Sequence, residues 1–209
     1  MLIMEYNKRL KNSVWEYFDF LSGVDPYTLS REIRLIMPPR RVLHTLGVEE
    51  RAVTMAHRFG SCDTEARQAA LLHDITKSFP SQLKLLQMCD MLCEGRLLPA
   101  VLHAVTGAEL SKRLGASDSV ISAVRWHTTG RENMTKLEKI IYLADMIEPF
   151  RKEFPGKKKL GMLCLDDLDK ALHLGLTIAL SHVESKGLEV DPNTVRALSW
   201  ITGRLQGHE

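Results

Sequence analysis

The sequence predicts an all-α protein. Apolar residues recur at three-to-four spacing in almost every segment, no stretch alternates convincingly as a half-buried strand would, and helix start and stop signals fall between the periodic segments. Taken in order, the first helix spans 5–21 and is closed by "SGVDPYT", which separates it from a short second helix at 28–36. "MPPRR" sets off the third, 40–59, and Gly60 in "FGSCDTEA" ends it. Asp63 or Thr64 then offers an N-cap for a helix over 64–77. Periodic segments follow at 81–94, 97–113, 117–128 and 135–150, the last closed by "EFPGKKK"; "KGLEVDPNT" divides helices at 166–186 and 192–206.

With 209 residues, 44% hydrophobic and 26% charged, the chain can bury a sizeable core. It shows no internal repeat, low-complexity tract or dividing linker. The expected organisation is an N-terminal helical extension, 1–39, on a main domain, 40–206. A net charge of +2 argues against coating nucleic acid, and "KKKL" at 157–160 reads as a solvated loop. Cysteines 62, 89, 93 and 164 form no CxxC pair and read as reduced thiols in a cytoplasmic protein. The charged N-terminus is not a signal peptide. No window approaches the roughly 18 apolar residues of a membrane span, so the expectation is a soluble protein.

The stretch "AALLHDITKSF" (69–79) sets His73 and Asp74 beside an apolar run, and burying such groups costs several kcal/mol unless they are paired. Four further ionisable residues share that setting: His44 in "RRVLHTLGV", His103 in "LLPAVLHAVTG", His127 after "VISAVRW" and Asp145 in "KIIYLADMIEPF". One histidine on an apolar face is usually a satisfied core residue. Five such positions in one helical chain point instead to a metal centre, whose charge would compensate the carboxylates and whose bonds would satisfy the imidazoles. Consecutive helical residues point about 100° apart, so His73 and Asp74 can reach one ion only near a helix end or through differing side-chain reach. His57, His173, His182 and His208 lack that setting and read as surface or structural.

The order H…HD…H…H…D, with "HTLGV", "ALLHDITK", "LHAVTGAEL" and "AVRWHTTGRENMTKLEKIIYLADMIEPFR", resembles the HD-domain superfamily of metal-dependent phosphohydrolases. More narrowly the chain is similar to the YqeK-type members, which cleave diadenosine tetraphosphate symmetrically into two ADP. The resemblance covers roughly residues 40 to 200 and leaves 1–39 unexplained, either as a packing helix pair or as a homodimer contact. It implies an HD-domain helical bundle. It also implies His44, His73, Asp74 and Asp145 as ligands of a divalent metal: iron first, with manganese, cobalt, magnesium or zinc as alternatives. A bound water then attacks a phosphoryl group. His103 and His127 either hold a second ion bridged by Asp74 or contact phosphate. Phosphate contact is preferred because no further carboxylate is obvious, and His127 could protonate the leaving ADP.

Lys77, one turn past Asp74, is assigned to the transferring phosphoryl group; Arg41 and Arg151 are assigned to phosphate. Thr128, Thr129 and Gly130 of "HTTG" are expected against the substrate, as is Asn193 of "DPNT", although these two motifs also read as a helix stop and a helix start. Two other functions stay open: a nucleotide phosphatase or phosphodiesterase on the same site, and a non-catalytic nucleotide-binding module.

Overall fold

A computed structural model of the chain describes residues 23, 25–78 and 98–207. The helices expected at 5–21 and 81–94, with Cys89 and Cys93, lie outside the described residues. Within them every regular element is helical, and no helix is long and apolar enough to cross a membrane.

Helix α1 is Pro26–Ile36; Asp25 caps it by accepting from the Tyr27 and Thr28 amides at 2.8 and 3.1 Å, with proline in the first turn. Its Leu29 and Ile33 are buried in the main core, so this part of the 1–39 segment is a packing helix. Helix α2, Pro39–Phe59, stops at Gly60, whose φ of 63° lies in the left-handed region that glycine enters without strain. Helix α3 is Asp63–Leu72. The helix expected to run unbroken to 77 turns at His73 and Asp74 and resumes as a 3-10 turn, Ile75–Ser78.

Helix α4, Leu102–Arg113, and α5, Asp118–Trp126, follow. Helix α6, Lys136–Ile147, opens on a capping box between Thr135 and Glu138 and ends before Pro149, which holds Glu148 in an extended conformation. Helix α7, Lys157–Leu163, corrects the solvated-loop reading of "KKKL": Leu160 is fully buried, and the Lys157 ammonium donates to the Arg151 carbonyl at 2.6 Å. A single buried leucine and an amphipathic lysine leave little periodicity to read. Helices α8, Leu168–Ser185, and α9, Pro192–Gln206, complete the described chain.

The centre of the bundle is α2, α3, α5 and α6, with α4 against α5, and α8 and α9 stacked on the α6 side. Helix α3 contributes Leu71 and Leu72, each fully buried and each stabilising by roughly 1.5–3 kcal/mol. It also contributes Ala66, Ala69 and Ala70, fully buried, so it lies close to α2 and α5. This packing brings the C-terminal end of α3 to the middle of the molecule.

Candidate metal centre

The break after Leu72 solves the directional problem of adjacent ligands. His73 and Asp74 sit in a turn where both side chains face inward, and both are almost wholly buried. Helix α2 brings His44, α6 brings Asp145, α4 brings His103, and the end of α5 brings His127. Helix α4 approaches so closely because residue 107 is glycine: a Cβ there would lie 3.2 Å from Val124 and within 3.7 Å of the Leu72 and His73 carbonyls.

Two ligand groups result. In the first, His44 Nε2 lies 3.2 Å from His73 Nε2 and 3.2 Å from Asp145 Oδ1. In the second, His103 Nε2 and His127 Nε2 lie 3.0 Å apart and 3.5 and 3.6 Å from Asp74 Oδ1. Asp74 spans both, its other oxygen being 3.6 Å from His44 Nε2. Within each of the sets His44–His73–Asp145 and Asp74–His103–His127 the ligand atoms are mutually within 4.8 Å.

The hydrogen bonds behind the ligands fix which nitrogen faces inward. His73 Nδ1 donates to the Ala70 carbonyl at 2.6 Å and His127 Nδ1 to the Val124 carbonyl at 2.7 Å. His44 Nδ1 donates to Glu148 Oε1 at 3.0 Å. With Nδ1 carrying the proton, each Nε2 turns a lone pair toward other lone pairs and carboxylate oxygens. Such an arrangement repels itself unless a cation sits within it. Asp74 Oδ1 is buried and accepts no hydrogen bond, although the Lys77 ammonium approaches it to 2.8 Å. The donor set of neutral imidazoles and carboxylates fits a divalent cation.

The protonation equilibria of His73 and His103 agree. Burial pushes His73 down to about 4 and His103 down to about 2, so both imidazoles are neutral near pH 7. Burial alone would raise the Asp74 and Asp145 carboxyls. The facing histidines, with Lys77 at Asp74 and Arg151 at Asp145, overcome it and hold both below the ordinary carboxylate range. Burial would lower His44, but the Asp145 hydrogen bond and charge, then Glu148 and Asp74, raise it.

Three cations stand around the ligands. Arg41 Nη1 is 2.9 Å from Asp74 Oδ2, Lys77 Nζ touches both Asp74 oxygens, and Arg151 Nη2 is 2.5 Å from Asp145 Oδ1. A cleft of about 860 Å³ opens beside them, lined at its inner end by Lys77, His127, Thr128 and Asp145. The "HTTG" motif divides. Thr128 lines the cleft with its hydroxyl 3.1 Å from both His103 and His127, whereas Thr129 is buried and donates to the Gly130 carbonyl. Gly130 packs on Ala197, Met134 and Leu176. Asn193 is not among the residues lining the cleft; it sits in the first turn of α9 and accepts from Arg196 at 2.7 Å.

Two features escape the sequence reading. Glu148, wholly buried behind His44, lies three residues past Asp145, and that spacing was its only signal. His182, read as surface or structural, lines the outer cleft on α8.

A family model described as "HD domain" matches residues 41–149, a span that includes all six clustered histidines and aspartates. The chain belongs to the HD domain family. Its HD domain and paired His/Asp groups support a divalent metal as cofactor. A Bacillus subtilis protein named "Bis(5'-nucleosyl)-tetraphosphatase, symmetrical" is 36% identical over 166 residues, 77% of this chain and 89% of the relative. A Halalkalibacterium halodurans protein of the same name is 34% identical over 173 residues, 79% of this chain and 92% of the relative. Among solved structures, a protein from Clostridium acetobutylicum described as a "predicted HD superfamily hydrolase involved in NAD metabolism" superposes with a TM-score of 0.75 at 32% identity. That match covers 85% of this chain and 96% of the other.

Proposed function

We propose that the protein is a metal-dependent hydrolase that cleaves dinucleoside tetraphosphates symmetrically, giving two ADP from diadenosine tetraphosphate. The observation that carries this reading is Asp74: one buried carboxylate, reached by imidazoles from three other segments of the chain and paired with Arg41 and Lys77 beside an open cleft. The choice of substrate is supported by the relatives of that name at 34–36% identity over most of their length.

His44, His73, Asp74 and Asp145 would hold the first ion; the mixed nitrogen and carboxylate set suits iron, manganese, cobalt, magnesium or zinc, and iron is put first on the family resemblance. Asp74 Oδ1, 3.5 and 3.6 Å from the Nε2 atoms of His103 and His127, favours a second ion there over direct phosphate contacts. When bound, the cation supplies Lewis acidity that polarises a phosphoryl oxygen and makes water nucleophilic at neutral pH. Lys77, Arg41 and Arg151 neutralise the polyphosphate, and Arg151 and Lys77 can turn from carboxylate to phosphate without leaving the inner cleft. The Thr128 hydroxyl orients a phosphate oxygen from the cleft wall. Glu148 keeps His44 in the tautomer that offers Nε2. A cytoplasmic setting goes with this reading, as does the thiol state of Cys62 and Cys164.

Product chromatography tests it. Diadenosine tetraphosphate should yield ADP alone, and Asp74→Ala should abolish the reaction; AMP with ATP, or released phosphate, would overturn the symmetrical cut. Mass-spectrometric metal analysis of protein purified without chelator should give two ions per chain, falling to one in His103→Ala. One ion in both proteins would return His103 and His127 to phosphate binding.

A further inference from the structure

The match to the HD family ends at residue 149, yet the cleft continues well beyond it. Its inner end carries His127 and Asp145 with Lys77 and Arg151. Its outer wall is made by the segment after α6 and by one face of α8, and the chemistry changes there. Phe154 and Ile178 are half-buried and apolar, and Tyr142 and Met146 of α6 extend that surface toward the metal centre. The loop and helix are in contact: a Cβ on Gly156 would lie 3.1 Å from Ile178. Along α8, Thr177, Ser181 and Ser185 repeat at four-residue intervals, and His182 stands one turn beyond Ile178 on the same side. Thr177 and Ser185 donate their hydroxyl protons to the His173 and His182 carbonyls at 2.8 and 2.9 Å, which leaves their oxygens as acceptors on residues that line the cleft. His182 is exposed, and none of the described residues hydrogen-bonds its ring.

An apolar wall, an aromatic ring at its edge and a row of acceptors suit a flat heteroaromatic base carrying an amine. Cations at the other end of the same cleft suit the phosphates attached to it. We propose that the α8 side of the cleft is the nucleoside subsite, with Ile178 and Phe154 as its apolar wall and His182 as the residue that stacks on the purine base. Phosphate chemistry then resides in the span shared with the HD family together with Arg151, and base selection in 152–185. This inference deepens the hydrolase reading and rests on it for the identity of the nucleotide.

The test is binding of ADP and of pyrophosphate to the metal-loaded full chain by calorimetry, for the wild type, His182→Ala and Ser181→Trp. Residues 181 and 182 are both exposed, and a thermal melt checks that the variants fold. The wild type should prefer ADP over pyrophosphate by about tenfold or more, since stacking on one aromatic side chain is of that order. Both variants should lose that preference while pyrophosphate affinity stays within about twofold. With diadenosine tetraphosphate as substrate, KM should rise by about tenfold and kcat stay level, as expected when a contact made equally in ground and transition states is removed. Equal binding of the two ligands by the wild type, unchanged ADP binding in either variant, or parallel loss of both ligands overturns the subsite. The two readings fail separately. A wild type that prefers ADP through His182 but leaves the tetraphosphate intact sinks the hydrolase; one that cleaves it with ADP binding untouched by the substitutions sinks the subsite.

Discussion

Replacing Glu148 by Gln asks how much of the metal affinity comes from behind the ligands. Glu148 Oε1 accepts from His44 Nδ1 at 3.0 Å, and Oε2 accepts from the Phe150 amide at 2.5 Å, in a site with 1% exposure. Glutamine keeps the shape but offers only one acceptor, so either the His44 or the Phe150 N–H must face an amide NH2. Losing a buried hydrogen bond to a charged acceptor costs about 2 kcal/mol. Where the cost falls on His44, which then has reason to put its proton on Nε2, metal affinity drops about 30-fold, within the 10–100-fold that such outer partners usually contribute. Titration of chelator-stripped protein with Mn²⁺ measures it directly. Wild-type affinity in both Glu148→Gln and Glu148→Leu, which leaves His44 no acceptor at all, with the fold intact by circular dichroism, would refute the claim that Glu148 holds His44 in its ligating tautomer.

Gly47→Ala should weaken metal binding several-fold although it removes no ligand: its Cβ would lie 2.8 Å from Glu148 Oε2 and 3.1 Å from Pro149 and Phe150, so a substitution that normally favours a helix becomes overpacking. The same Mn²⁺ titration reads this. Glu138→Ala should lower the melting temperature by about 6–12 °C. It breaks a buried cluster in which Glu138 accepts from Arg131 at 2.9 and 3.0 Å, from the Thr135 amide at 2.7 Å and from Ser122, a loss of about 3 kcal/mol. A change under 2 °C would mean the cluster is solvated. Burial would raise the Asp169 carboxyl, but Lys139 and Arg204 hold it below its ordinary value. Its contribution to stability is therefore complete above the unfolded value near 4 and is lost as pH falls through the lower folded value. Urea midpoints of wild type and Asp169→Asn should differ at pH 7 and converge at the acid end; a difference that persists there would contradict the assignment.

The helical class and the clustering of the histidines and aspartates were legible because both rest on short-range pattern. Apolar spacing locates helices, and an ionisable residue within an apolar run is conspicuous whatever its partners. The break at His73 was only half legible: two adjacent ligands require a helix end, but "AALLHDITK" is helical by propensity, and the turn is imposed by the helices converging on it. Glu148 was hidden because nothing local distinguishes a carboxylate bonded to a ligand from one facing solvent before a proline. Gly130 shows the same limit. Its positive φ was foreseeable, but whether the freed space admits a substrate or Leu176 is decided by α8, more than 40 residues away. His182 is exposed, as its reading as a surface residue implies, but that its helix face forms a cleft wall depends on the loop before α7 folding against it.

Helix α3 presents Ala66, Ala69 and Ala70 to its neighbours, so the rod that ends in His73 and Asp74 is spaced from them by single methyl groups. Side chains that small have no rotamers to absorb a disturbance. One added carbon at any of the three would displace the rod bodily and move two ligands at once, with no donor atom altered. Those alanines are therefore set-screws for the centre, and a protein engineer seeking a different ion preference would turn them before touching the histidines.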